Sequence, residues 1–488
     1  MGHFHKARQL LDEMPEPNIV SYNSLFSGLN HHGLYSELVT LFIRMQNQYS
    51  CVFMDEFTLV SLVGACACLS ATKLLCQLHG VALLIGMRFN IVVCNALIDA
   101  YGKCDEPDKS YQLFSRMPER DVVSWTSMVV AYARASRLVD ACTVFNQIPV
   151  KNTVSWTALI AGFAQNGQGG EALDLFSQML EEGVLPSSFT YVAVLSACAD
   201  QALIETGKQL HGCIIRRSSV RETFNVFLCN ALINMYSKCG GMKPASALFE
   251  RLHWKDIISW NSIIIGLAQN GHGEESLAMF KRMIDAKIKP NHVTFLGVLS
   301  ACSHVGLIHE GLRILYLMED FGVTPRLDHY SVLIDLLGRI NRLEEALDFI
   351  VKAPKGSDHV RIWGALLGGC RVHGNLDIGR RAAEALFKLE PNNTARYVML
   401  SNLYAAAGRW DDASRVRRLI ADRGLRKEAG YSWIEIRHTR HVFVAKDTTH
   451  CQIEQIYESI HKLVDLMSDA GYLPCTENSI FPGDKEIC

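Results

Sequence analysis

The chain has 488 residues, 49% of them apolar and 20% charged, with a formal net charge of −2. That is ample material for a core. The near-neutral balance argues against a bulk polyelectrolyte binder, whose affinity comes from many phosphate contacts, yet leaves room for a local basic groove. No apolar run reaches the roughly 18 residues that span a bilayer, and neither a signal peptide nor an Arg/Ser-rich, acid-poor transit segment opens the chain.

The first segment, MGHFHKARQLLDEMPEPN, matches the second half of a unit that recurs downstream: ARQLLDEMPEPN aligns with SYQLFSRMPERD. Half a unit cannot bury its core face, so the natural chain is expected to begin further upstream. Full units follow over 19–55, 56–90, 91–121, 122–152, 153–187, 188–225, 226–256, 257–291, 292–326 and 327–358, with short and long forms interspersed. Two looser units occupy 359–392 and 393–428. Self-similarity at a fixed period predicts a stacked array.

Each unit reads as an antiparallel helix pair. The second helices carry apolar residues at i, i+1 and i+4, as in Leu113/Phe114/Met117, Val144/Phe145/Ile148 and Leu248/Phe249/Leu252, a stripe that faces a neighbouring pair. Gly102, Gly167, Gly240 and Gly271 sit where the first helix gives way to the second, and Pro118, Pro149, Pro186 and Pro290 close units that cannot continue as helix. The predicted fold class is therefore all-α: a right-handed α-solenoid of helix-turn-helix repeats. Trp125, Trp156, Trp260 and Tyr22 each precede the fifth residue of a unit; an aromatic fixed at one phase is expected to pack between repeats.

Sixteen cysteines raise the question of disulfides or zinc. Cys66, Cys198 and Cys302 share the eleventh place of their units, and Cys104 and Cys239 the fourteenth. Recurrence at one helical phase predicts small buried hydrophobes in a reducing compartment.

Beyond the repeats, 408–427 is rich in base, with Arg409, Arg415, Arg417 and Arg418 on one predicted helix. It reads as a solvated helix face or as a contact for phosphate or a partner protein. GYSWIEIRHTRHVFV (430–444) alternates with period two and predicts a hairpin. A helix follows over 452–470 with Ile453, Ile456, Ile460, Leu463 and Leu466 in a stripe. The solenoid thus ends in a small mixed extension.

NALIDAYGKC, NALINMYSKCG, WNSIIIGLAQNGHGEESLAMFKRM, TFLGVLSACSHVGLIHEGL and HYSVLIDLLGR resemble the plant pentatricopeptide repeat family, in the class that alternates standard, long and short motifs. The stretch from IWGALLGGCRVHGN to WDDASRVRRLI resembles that class's E1 and E2 motifs, and GYSWIEIRHTRHVFVAKDTTHCQIEQIYESI its E+ extension. The resemblance divides the chain into a partial repeat (1–18), a repeat array (19–358), E1/E2 motifs (359–428), an E+ extension (429–474) and a tail (475–488).

Such proteins read single-stranded RNA at about one base per repeat, and the resemblance makes the fifth and last residues of a unit the reading pair. Asn23/Asp55, Asn95/Asp121 and Asn230/Asp256 resemble uridine readers, Thr126/Asn152 an adenine reader, Asn261/Asn291 a pyrimidine reader and Ser331/Asp358 a guanine reader. Thr157/Ser187 departs from the common pairs and leans to a purine. Val60, Val192 and Leu296 at fifth positions cannot hydrogen-bond a base edge. The implied target is 5′-U-?-U-A-R-?-U-Y-?-G-3′. For any single pair, helix capping and turn chemistry explain the same residues; repetition at one phase favours base reading.

Editing members of the class often end in a zinc deaminase, which needs H-x-E and P-C-x-x-C. The chain has no C-x-x-C, and its H-x-E, His272-Gly273-Glu274, falls in a repeat turn. H-E-x-x-H, G-x-x-x-x-G-K-[ST] and G-x-S-x-G are absent too. The expectation is a protein that is not an enzyme and needs no cofactor or metal. It would specify sites of organellar C-to-U RNA editing, with a deaminase-bearing pentatricopeptide protein or other editing-complex proteins docking in trans on the E/E+ region. Family frequency points to the mitochondrion, with the chloroplast as the alternative. The competing readings are an RNA stabilisation or splicing factor and a protein-binding helical scaffold. No membrane association is expected.

Overall fold

The computed structural model describes residues 2–15, 17–48, 54–217, 225–354, 359–425, 430–436, 439–444 and 449–472. Among these lie 26 helices and one two-stranded sheet. The chain is an all-α solenoid of helix-turn-helix repeats. It divides into two compact units, Met1–Thr223 and Phe224–Cys488.

In the first unit, Gly2–Glu13 stands where the second helix of an incomplete repeat was expected. Six helix pairs follow, from Ile19–His31 with Tyr35–Gln48 to Ser188–Asp200 with Ile204–Arg217. The second unit runs from Val226–Lys238 with Met242–Arg251 to Thr394–Ala406 with Trp410–Asp422. It closes with strands β1 (Tyr431–Ile436) and β2 (Thr439–Val444) and the helix Ile453–Asp469. The strands pair antiparallel, Tyr431 against Val444 through Ile436 against Thr439. On the last helix Ile460, Leu463 and Leu466 are exposed.

Helix starts follow from local chemistry. Asn18, Asp55, Asn90, Asp121, Asn152, Ser187, Asn225, Asp256 and Asn291 each sit in extended backbone just before a first helix. Each side-chain oxygen accepts from a backbone N–H of the first turn. Such a cap contributes about 1 kcal/mol per helix. The turns between helices pass through left-handed backbone, at Gly167 (φ 75°) and Gly271 (φ 80°) for example, where a Cβ would be strained.

Packing between repeats rests on two contact types. Phe114, Phe145 and Phe249 from second helices meet Trp125, Trp156 and Trp260 of the next first helices edge-on, with ring centroids 4.9, 4.8 and 4.9 Å apart. Each such pair adds about 0.5–1.5 kcal/mol beyond its burial. Trp156, Trp260 and Tyr22 are buried and Trp125 is half-buried, so these rings are core. First helices touch one another through small residues. A Cβ on Gly102 would fall 2.6 Å from that of Ala131, one on Gly162 2.6 Å from that of Ala133, and one on Gly266 2.3 Å from Ser237 Oγ.

Cys66, Cys198 and Cys302 are fully buried. Burial pushes the Cys66 thiol up to about 11 and that of Cys302 up to about 12, so both behave as protonated apolar groups. Cys104 and Cys239 correct the expectation of burial. They are the C-cap residues of their helices and only half-buried, because the fourteenth place lies where the chain turns outward.

Candidate functional site

The residues that cap one repeat also touch the fifth residue of the repeat before. Asp121 Oδ1 accepts from Ser124 N (2.7 Å) and from Asn95 Nδ2 (3.0 Å), and Ser124 Oγ lies 2.8 Å from it. The same arrangement joins Asn230 to Asp256, with Asn230 Nδ2 donating over 3.1 Å and Ser259 N over 2.7 Å. Asn23 Nδ2 donates to both oxygens of Asp55 at 2.9 and 2.8 Å. Asn261 Nδ2 donates to Asn291 Oδ1 at 3.2 Å, an oxygen that also caps Val293 N and Thr294 N. These four fifth/last pairs predicted from sequence are therefore brought into direct contact.

The threonine pairs differ. Thr126 Oγ1 donates into its own helix, to Val122 O at 2.6 Å, while Asn152 Oδ1 caps Ser155 N at 3.0 Å. Thr157 Oγ1 lies 2.6 Å from Thr153 O and 2.7 Å from Thr190 Oγ1, which is itself 3.0 Å from Ser187 Oγ. Ser331 is half-buried, and its predicted partner Asp358 lies outside the described residues.

The cap fixes which group of the last residue can face outward. With Oδ1 held on backbone N–H groups, Asp121 and Asp256 have a second carboxylate oxygen with which to accept. Asn152 and Asn291 have an Nδ2 that can only donate. Burial pushes the Asp55 and Asp121 carboxyls up. The hydrogen bonds from Thr58 and Asn23, and from Ser124 and Asn95, more than offset this and hold both below the usual carboxylate range. They are ionised acceptors at neutral pH.

A feature that sequence reasoning missed flanks these groups. The second residue of a unit is apolar yet exposed: Val20, Phe57, Val92, Val123, Val154, Phe189, Phe227 and Ile258 range from 43% to 67% exposure. An apolar side chain about one turn before the fifth residue, open to solvent in these eight of the ten full repeats, can clamp a flat ring; Val293 is half-buried and Asp328 takes the place in the last. In one cleft Asn261 and Asn291 share walls with Ile258, Val293, Asn234 and Gln269. The regular spacing of these residues was the available signal, but in helical register they read as core.

The predicted basic contacts lie on the helix Trp410–Asp422 and its N-cap. Arg409 and Arg415 both pair with Asp412, Arg417 Nε donates to Ser401 Oγ at 3.1 Å, and Arg418 is exposed. His272 of the H-x-E sequence is exposed and pairs with Glu275 at 3.1 Å. Among the described residues no three of His, Cys, Asp or Glu converge on a metal position, and no described helix is long and apolar enough to cross a membrane.

The PPR repeat model matches 20–48, 92–122, 123–152, 227–257 and 328–353, the PPR repeat family model 151–200 and 255–304, and the pentatricopeptide repeat domain model 288–339. The E motif model matches 373–435. A pentatricopeptide repeat-containing protein of Arabidopsis thaliana is 44% identical over 96% of this chain and 67% of its own length. Another from that plant, named mitochondrial, is 36% identical over 98% of this chain and 71% of its own length. A third, named chloroplastic, is 33% identical, and this chain spans 54% of it. The crystal structure of the maize pentatricopeptide repeat protein PPR10 with an 18-nt psaJ RNA element is similar at 15% identity, covering 88% of this chain and 83% of that one with a TM-score of 0.46. The chain belongs to the plant pentatricopeptide repeat family and carries the E motif of that family's E subgroup.

Proposed function

We propose that this protein is a sequence-specific single-stranded RNA-binding factor that marks sites of C-to-U editing in an organelle and borrows its deaminase in trans. The observation that carries the reading is the set of fifth/last pairs, whose outward groups match the Watson–Crick edges of the bases assigned to them. Uracil offers N3–H to the second oxygen of Asp121 and a carbonyl to the remaining Nδ2–H of Asn95. Cytosine offers its N3 lone pair to Asn291 Nδ2 and its carbonyl to Asn261, which narrows the pyrimidine read there to C. Adenine offers N6–H to Thr126 Oγ1, whose own proton is spent on Val122 O, and its N1 lone pair to Asn152. Ser331 with Asp358 would take guanine through the same acceptor logic. The exposed second-position residues would hold each base between apolar walls.

The adaptor role rests on the E motif and the tail. The hairpin Tyr431–Val444 and the apolar stripe of Ile453–Asp469 offer a surface for a deaminase-bearing partner, and Arg418 with its neighbours a contact for RNA phosphate. On this reading the chain has no catalytic centre of its own, and no cofactor enters its function. The mitochondrion is the favoured compartment, the chloroplast the alternative; relatives are named for both.

Sequencing organellar transcripts from plants lacking the protein tests the reading. The expected result is loss of editing at one or a few cytidines, each preceded by an element matching 5′-U-?-U-A-R-?-U-C-?-G-3′. Intact editing with altered transcript abundance or splicing would overturn the editing role and support the stabilisation alternative.

A further inference from the structure

The fifth residue does not set its own orientation. An asparagine amide can present either its oxygen or its nitrogen, and the two choices select opposite base edges. In three repeats a hydroxyl from the following repeat settles the choice. Ser124 Oγ donates to Asn95 Oδ1 at 2.7 Å, Thr58 Oγ1 to Asn23 Oδ1 at 2.7 Å and Thr294 Oγ1 to Asn261 Oδ1 at 2.6 Å. All three hydroxyls are fully buried. With the oxygen turned to the hydroxyl and one N–H donated to the last residue, the second N–H is the group turned toward a base.

The third place of the repeats covaries with the fifth place of the repeat before. Asn23, Asn95, Thr126, Thr157, Asn230 and Asn261 are followed by Thr58, Ser124, Ser155, Thr190, Ser259 and Thr294. The aliphatic Val60, Val192 and Leu296 are followed by Val93, Leu228 and His329. Ser331 departs from the pattern, being followed by Arg361. The oxygens of Ser124 and Thr294 also close capping boxes, accepting from Asp121 N at 3.2 Å and Asn291 N at 3.1 Å, which leaves each hydroxyl proton to donate to the amide; a first helix can be capped without such a hydroxyl. Asn90 caps Val93 N and Asn225 caps Phe227 N with no hydroxyl at the third place.

We infer that Thr58, Ser124 and Thr294 are positioning residues for base reading: each holds the fifth-position asparagine of the repeat before with its N–H outward, so that the specificity unit there is a triad spanning two repeats. The inference rests on the base-reading function proposed above. The Asn230 site supplies an internal contrast. There Ser259 Oγ donates to Asp256 Oδ1 at 2.8 Å, and Asn230 Oδ1 is buried with no partner among the described residues. The amide is held on one side only.

The test uses the full chain and RNA oligonucleotides carrying U, C, A or G opposite the Asn95/Asp121 pair. Ser124→Ala should lower the preference for U there by roughly five- to tenfold, the size of one neutral hydrogen bond. It should leave discrimination opposite Asn261/Asn291 unchanged, and Ser124→Thr should restore the preference. Ser259→Ala should cost less discrimination at its own nucleotide than Ser124→Ala does at Asn95. Full retention of the U preference in Ser124→Ala would overturn the positioning role alone. A uniform loss of affinity for all four bases, tracking a lower melting temperature, would also overturn it by showing a merely structural hydroxyl. Failure of the unmutated protein to distinguish bases at that nucleotide would overturn the base-reading function itself.

Discussion

Replacing Asp121 by Asn changes one outward group and little else. In the native protein Oδ1 of Asp121 accepts from Ser124 N and Asn95 Nδ2. The asparagine keeps its oxygen on the same cap, as Asn152 and Asn291 do, and places Nδ2 where the second carboxylate oxygen was. A donor then faces uracil N3–H, and the charge-assisted hydrogen bond is lost. That bond is worth about 1.5–3 kcal/mol, so the affinity for U at that nucleotide should fall roughly 10- to 150-fold. Cytosine, with a lone pair at N3, should become the preferred base. Stability should hardly change, since Asn and Asp are nearly equivalent caps. Fluorescence anisotropy with four oligonucleotides differing at one base reads the affinities, and circular dichroism the melting temperature. An unchanged preference for U, or an equal loss for all four bases with the fold intact, would refute the argument that the cap dictates the outward group.

Changing Asn95→Thr together with Asp121→Asn should recreate the Thr126/Asn152 arrangement, weakening binding to the U oligonucleotide and restoring it when that U becomes A; unchanged binding across the swap counts against pair reading. Val123→Ser removes an exposed apolar wall and should lower affinity about three- to tenfold for every base without reordering them; a changed base order in the same anisotropy series would contradict a clamping role. His329 is buried, with Nδ1 accepting from Arg326 N at 2.9 Å and Nε2 donating to His292 O at 2.9 Å. Burial lowers its pKa, so its contribution to stability is complete above the unfolded value of about 6.5 and is lost as pH falls from there through the folded value. His329→Gln should flatten the fall in melting temperature between about pH 7 and pH 5; an identical slope would refute it. Asp55 and Asp121, held below the usual range, act in a separate window below about pH 4, where acid should cost both stability and binding.

The helix pairs and their starts were legible because their signals are local. An Asn, Asp or Ser caps a helix within its own first turn, and Gly167 or Gly271 turns the chain within a few residues. The contacts between fifth and last residues were legible by register: Asn95 and Asp121 recur in phase with Asn230 and Asp256. The role of Ser124 was not, because its hydroxyl serves an amide in the previous repeat, and that proximity exists only once the helices stack. Val123 misleads for a related reason. An apolar residue in helical register reads as core, and only the stacked structure shows that its face is left open. Cys104 misleads in reverse, since a recurring cysteine suggests interior while its place is the helix end.

The glycine contacts make the solenoid a ruler as well as a clamp. Gly102 against Ala131 and Gly162 against Ala133 fix how far one first helix stands from the next, and under the proposed function that distance is the step by which successive bases would be met. A bulkier residue at either place would displace not one reader but the phase of those after it in the same stack, as a mis-cut tooth displaces the rest of a rack. Damage of this kind would show as a preference for the right bases at the wrong spacing, and an RNA with one nucleotide inserted at the matching place would bind better than the natural element.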